Sequence, residues 1–298
     1  MSSAYDKGLY DKRIYGGKLG FVMKEKLRIY IVVKTYPTIS KEYSELVCTA
    51  GLLEDGSWVR LYPVPFRKLE LDEKYPKYTW IEIDAIRNTN DFRPETYRPD
   101  LSTIKVEAKS KKIDWDERRR IVFKNKKIYT NLKELIEKAK NDGTSLAVFK
   151  PTKIHDFVSE SVEREWDSNK LEILKRLSQQ LTLFQTPEEI DEEFKVVAKV
   201  PYKFSYKFED DDGRQSKMMI EDWETGMLYF NCLWRANGDE DVAIAKVKQK
   251  YFDEFLKRDL YFFLGTIKKF HNVAPNPFVI IGAFCPPPAN PQMSLLDY

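Results

Sequence analysis

The chain is poor in the residues that make reactive centres. It has three cysteines, Cys48, Cys232 and Cys285, far apart and odd in number, and two histidines, His155 and His271. No CxxC pair or Cys/His cluster exists, which excludes the usual structural zinc site and a disulfide framework. A reducing, cytoplasmic compartment is the matching expectation. No apolar run approaches the roughly 18 residues of a membrane span. The first residues lack the apolar core of a secretory signal. A charge excess of one sign is also missing: 50 Lys+Arg against 47 Asp+Glu leaves +3. Any basic surface must therefore be local. No Ser-His-Asp, Walker or GxGxxG pattern occurs.

Apolar residues and strand patterns are plentiful. Of 298 residues, 42% are hydrophobic, enough for real cores. The length suits about two domains of roughly 150 residues. Residues 1–22 are rich in Gly, Tyr and Lys without a clear period and are expected to form an N-terminal arm. Leu27–Lys34, Tyr43–Leu53, Trp58–Tyr62 and Tyr78–Ile86 then read as strands, followed by an Arg/Pro loop and a short strand at Ile104–Val106. A helix is predicted from Asn131, its N-cap, because Leu132, Leu135, Ile136 and Ala139 recur at helical spacing. Asn141-Asp142-Gly143 ends it, and Leu146–Phe149 is a strand. Asn169–Leu181 is a second helix.

The most patterned stretch begins at Phe194. Tyr202, Phe204, Tyr206 and Phe208 alternate with Lys203, Ser205 and Lys207, so the aromatics share one face of a strand. Asp212-Gly213 is a hairpin turn signal. The return is expected as strand through Lys217–Ile220, Trp223 and Leu228–Phe230. Asp239–Leu256 reads as an amphipathic helix, and Leu260–Leu264 and Phe278–Phe284 as strands. Proline then dominates residues 286–291.

These elements give a mainly β fold with helices (α+β). The expected order is an arm at 1–22, a first domain at 23–160, a helical connector at 161–193, a second domain at 194–285 and a tail at 286–298. Short strands in two blocks, each with a helix, suggest two small barrels.

Three phrases point further: Val59-Arg60-Leu61-Tyr62-Pro63-Val64-Pro65-Phe66-Arg67; Pro201–Phe208 followed by Met219-Ile220-Glu221-Asp222-Trp223-Glu224; and Arg258–Thr266 followed by Phe278–Phe284. Together they resemble the bacterial proteins described as dual OB-containing. The resemblance covers about residues 24–285. It implies two OB-like barrels, one on each side of the helical connector, and brings no catalytic residues. OB barrels often bind oligonucleotides or proteins.

Single-strand binding needs rings for bases to stack on and cations along the phosphates. Trp58, Arg60, Tyr62, Phe66, Arg67, Arg87, Arg93 and Arg98 supply both, unless the rings are core and the arginines pair with nearby carboxylates. Lys203 and Lys207 would face outward from an aromatic barrel interior. DNA or RNA, single-stranded or at a junction, is the expected partner, and the expected role is an accessory one in bacterial DNA metabolism or defence against phage. A second reading makes the chain an adaptor. Gln292-Met293-Ser294-Leu295-Leu296 resembles the peptide that docks on the bacterial sliding clamp, with Gln292, Ser294, Leu295 and Leu296 as contacts; a defence effector is the other candidate. Gln180–Phe184 fits that pattern too but continues a helix. A third reading is a metal-dependent nuclease using Glu192, Glu193 and Lys195, or Asp210–Asp212 with Lys217. Against it, Asp210–Asp212 sit in a turn that favours acidic residues locally. No catalytic residue, metal or cofactor is assigned. Glu221 and Asp222, readable as metal-binding carboxylates, are consecutive and diverge in a strand, so solvation or pairing with Arg214 is the expected use.

Overall fold

The computed structural model describes residues 10–15, 18–39, 46–70, 72–107, 114–181 and 196–288. Strands β1 (Tyr10–Tyr15) and β2 (Lys18–Met23) form an antiparallel hairpin that is a sheet of its own. The described part of the expected arm is therefore paired backbone.

The first unit is a closed barrel of β3 (Glu25–Lys34), β4 (Val47–Leu52), β5 (Trp58–Val64), β6 (Thr79–Arg87) and β7 (Thr96–Val106). Its order is β3-β4-β5-β7-β6, and β6 returns to β3. Only β5 and β7 run parallel. Alternation makes the interior: Ile81, Ile83 and Ala85 of β6 point in, with Trp80, Glu82 and Asp84 between them half-exposed. The β4–β5 turn is set by Gly56 at φ 91° and by the Asp55 carboxylate, which accepts from Ser57 N at 2.7 Å.

Helix α1 (Trp115–Phe123) leads into the second unit: β8 (Ile128–Tyr129), α2 (Leu132–Asp142), β9 (Leu146–Phe149), β10 (Lys153–Ser161), α3 (Ser168–Leu181), β11 (Tyr202–Glu209), β12 (Gln215–Met219), α4 (Trp223–Arg235), α5 (Glu240–Lys248), β13 (Tyr261–Thr266) and β14 (Phe278–Phe284). Its strands form two ladders, β14-β13-β9-β8 and β10-β11-β12. The chain turns from β9 into β10 through Pro151, and a single parallel bridge, Ile220 to Ile280, joins the end of β12 to β14. Followed around, the neighbours repeat the circuit of the first barrel, with helices α4 and α5 between the third and fourth strands. The link between the third and fifth strands, a short parallel ladder in the first unit, is one bridge here.

Several expectations are corrected. Residues 128–160, expected in the first domain, belong by pairing to the second: β9 pairs with β13 and β10 with β11. Helix α3 therefore links two strands of one unit and does not connect two domains. Trp223 and Leu228–Phe230, expected as returning strand, lie in helix α4. Its Asp222 cap accepts from Glu224 N at 3.3 Å, and Thr225, Gly226 and Tyr229 form its buried face. Other expectations stand. Asn131 caps α2 through Glu134 N at 3.0 Å, and Gly143 ends it at φ 76°. Phe204, Tyr206 and Phe208 lie in the second unit's core, and Tyr202 packs at its edge. Asp210, in the turn after β11, is buried and accepts from Arg214 N at 2.9 Å and from Leu132 N at 3.1 Å, docking the hairpin on α2.

A third core lies between the units. From β3, Ile29 and Ile31 fill the first barrel, whereas Tyr30, Val32 and Val33 pack against Val148, Phe263, Ile281 and Phe284 of the second unit. A bulge between Ile31 and Val33 puts two consecutive valines on that outer side. Beside this seam an ion pair crosses the boundary. Lys77 is 3% exposed in its side chain and donates to both Asp222 oxygens, at 2.8 and 3.0 Å, and to Glu224 at 3.0 Å. Burial opposes the Lys77 charge, but Asp222 and Glu224 hold its pKa above the ordinary lysine value. Lys34, buried nearby, donates to Tyr75 O at 3.1 Å and sits 4.4 Å from the Phe66 ring centre. Burial, aided by repulsion from Lys77, lowers it to about 8.

Two outcomes follow. Asp222→Asn preserves the helix cap but leaves Lys77 short of charge, and should cost roughly 3 kcal/mol in urea unfolding; Lys77→Met with Asp222→Leu should recover most of it. Folded Lys34 releases its proton near 8, whereas an unfolded lysine holds it to about 10.5, so its contribution to stability rises with pH between those values. The advantage of Lys34→Met over the parent chain should therefore be largest near pH 7, up to about 3 kcal/mol, and shrink towards pH 10 in unfolding titrations.

Candidate functional site

The outer face of β5 presents Trp58, Arg60 and Tyr62 toward the second unit, as the alternation predicts. Trp58 enters the seam edge-on to Phe263 at 5.9 Å. Beyond it the units part, and a cleft of about 580 Å³ opens. Its first wall is Cys48 on β4, Arg60 and Tyr62 on β5, Tyr36 and Thr38 after β3, and Phe92 and Arg93 in the β6–β7 loop. The second wall is Thr266, Lys268 and Lys269 at and after the end of β13, with Val279 and Ile281 of β14 and Glu221. A smaller cavity of about 180 Å³, bordered by Trp166, Lys199 and Tyr202, shares Tyr36, Thr38 and Glu221 with the first.

The floor is polar and hydrogen-bonded, apart from the buried Arg60 Nε, which has no partner. Arg60, 3% exposed, donates to Ser145 Oγ at 2.7 Å, Ser145 O at 3.1 Å and Glu95 at 3.2 Å. Arg93 makes a bidentate pair with Asp91 at 2.9 and 2.6 Å and donates to Thr266 O at 2.8 Å. Burial works against the Asp91 charge, yet Arg93 holds its carboxyl below the ordinary range. Arg87 donates to the carbonyls of Thr96 and Arg93. These three arginines staple the β6–β7 loop to both units. His271 supports the same point from behind. Its Nε2 donates to Ala139 O at 2.8 Å, since a carbonyl only accepts. Nδ1 shares a hydrogen bond with the Thr266 hydroxyl at 2.8 Å, so both ring nitrogens are committed within the fold and His271 is a structural residue. The Phe92 ring lies 4.9 Å from it and stays 48% exposed.

The site residues read from sequence separate accordingly. Tyr62 lines the cleft. Arg60 and Arg93 lie in its floor, but buried, with their charge committed to Glu95 and Asp91; as open phosphate contacts they are corrected. Phe66 is corrected too: it is core, edge-on to Tyr75 at 5.1 Å and Trp223 at 5.6 Å. Arg67 is exposed on the turn Phe66–Lys68. Arg98 sits half-buried on β7 with its Nε enclosed and unpaired. Lys203 and Lys207 point outward from β11, and Lys203 lies 3.9 Å from Glu160. None of these four lines the cleft. Gln292, Ser294, Leu295 and Leu296 lie outside the described residues, as do Glu192, Glu193 and Lys195. Asp222 pairs with Lys77, not with Arg214. Among the described residues no group of three His, Cys, Asp or Glu could hold a metal, and no described helix is long and apolar enough to cross a membrane.

Sequence reasoning missed Tyr36, Phe92, Lys268 and Lys269. Lys268 donates to Asn90 O at 2.6 Å, and Lys269 lies 5.6 Å from the Phe270 ring; neither has a carboxylate partner among the described residues. Their signal was a lysine pair directly following an apolar strand.

No match was found among curated proteins. One solved structure, described as a murine DNA binding protein bound with double-stranded DNA, aligns with 90% of this chain and 98% of its own at 11% identity and a TM-score of 0.30, too low to carry an argument. Residues 25–124, the first barrel with α1, match the domain of unknown function DUF8758. Residues 129–298, from β8 onward, match a second family over more than half of the chain, and the protein accordingly belongs to the family described as domain of unknown function DUF8757.

Proposed function

We propose that the protein binds a single strand of nucleic acid in the cleft between its two units, as a non-enzymatic accessory factor. The observation that carries this reading is which face of the barrel is open. In five-stranded OB barrels, the face of the second and third strands and the loops after the first and fourth form the oligonucleotide site. Here those are β4, β5 and the segments after β3 and β6, and they make the first wall of the cleft. Tyr62 and Phe92 offer rings for base stacking, and Lys268 and Lys269 offer charge for phosphates. With a net charge of only +3, attraction is local to this rim. DNA metabolism and defence against phage are the settings the sequence suggests for such a factor.

Fluorescence anisotropy on labelled 15-mers of dT and U tests it. Lys268→Glu with Lys269→Glu should weaken binding at least about tenfold at low salt. It should also flatten the slope of log K against log salt by about 1.4, roughly 0.7 for each phosphate no longer neutralised. Tyr62→Ala and Phe92→Ala should each cost about 1–3 kcal/mol with little change of slope. Absence of binding to either oligomer, or an unchanged slope in the double lysine variant, would remove this reading.

A further inference from the structure

Glu221 is the one acidic side chain that both cavities share. Its backbone is fixed from two sides: its N–H donates to Ile280 O at 2.7 Å, and its carbonyl accepts from Tyr36 N at 3.2 Å. Asp222, the next residue, is turned inward onto Lys77. Successive side chains of extended backbone diverge, so Glu221 is directed the other way, into the cleft. Its carboxylate is half-buried and has no hydrogen bond or ion pair among the described residues. Asp91 and Asp222, the buried acids around it, are both satisfied. The neighbouring Arg60 and Arg93 direct their terminal nitrogens elsewhere, and neither Lys268 nor Lys269 on the same wall forms an ion pair with it. Burial alone raises its pKa above the ordinary glutamate value.

A poorly solvated carboxylate without donors is costly, and a ligand that supplies them relieves the cost. That ligand group is not a phosphate, which the negative charge repels. It carries N–H donors, while the backbone that bears it runs along Lys268 and Lys269. We propose, building on the single-strand reading above, that Glu221 is the base-reading residue of the cleft and that its two oxygens take the adjacent N1–H and N2–H donors of a guanine. Guanine alone presents two neighbouring donors on one edge. Adenine and cytosine set their amino group beside a ring acceptor that a carboxylate repels, and thymine or uracil offers one donor between two carbonyls. Reading a splayed base on its Watson–Crick edge while its face stacks on a ring is the ordinary mode for single strands.

Anisotropy with labelled (dT-dG)6, (dT-dA)6, (dT-dC)6 and dT12 tests the assignment. The parent chain should bind (dT-dG)6 about tenfold more tightly than the other three, the discrimination of one bidentate contact. Glu221→Gln keeps the size of the side chain and presents one acceptor and one donor, the match for the amino group and ring acceptor of adenine or cytosine. It should lose the guanine preference and shift it toward (dT-dA)6 and (dT-dC)6. Glu221→Ala should bind all four alike. Unchanged thermal unfolding of both variants shows that the fold is intact. Equal affinity of the parent chain for the four oligomers, or a guanine preference that survives Glu221→Gln, overturns this assignment while leaving strand binding in place. Failure to bind any of them removes both.

Discussion

Everything in this molecule depends on β3 being buried on both faces. Ile29 and Ile31 close one barrel, and Tyr30, Val32 and Val33 seal it to its neighbour. A strand in an ordinary small barrel shows its outer face to water and is polar there. This one cannot, because β14 lies against it. Burying one large apolar side chain stabilises by about 1.5–3 kcal/mol, so the seam outweighs any single polar contact at the boundary. The Lys77–Asp222 pair adds less net energy than its short distances suggest, since both charges lose their water. It joins the start of α4 to the loop before β6.

The same economy governs the cleft. Arginine is abundant around it, yet the guanidinium groups of Arg60 and Arg93 are turned inward to carbonyls and carboxylates. Thr266 is the meeting point: its carbonyl accepts from Arg93, and its hydroxyl is hydrogen-bonded to His271. The β6–β7 loop is thereby tied to both units although it has no regular structure. Phe92 is held out on that loop, and its exposure is a product of the network beneath it.

Local periodicity made much of the fold legible. Strands β3 to β6 of the first barrel, the capped helix α2, the aromatic face of β11 and the strand pair β13–β14 follow from alternation, caps and turns, whereas β7, Thr96–Val106, was legible only at Ile104–Val106 because its first half reads as an Arg/Pro loop. What local pattern does not encode is the partner of a strand. Leu146–Phe149 reads as a strand whichever sheet takes it, and its pairing with β13 lies more than a hundred residues away. Helix α4 was hidden because Trp223, Leu228, Tyr229 and Phe230 have strand-like composition, while the decisive cue was the Asp222 cap. In the cleft, Arg60 and Tyr62 were visible on β5, but accessibility was not. Asp91 and Glu95, each two residues from Arg93, were the available hint that this loop neutralises its own charge.

The apolar seam has one more consequence. Tightly packed side chains compress very little. The spacing between the cleft walls is therefore decided when the protein folds, before anything enters. It behaves as a gauge of fixed calibre: an object of the right thickness slips in with no hinge to shut behind it, and a bulkier one is stopped at the mouth.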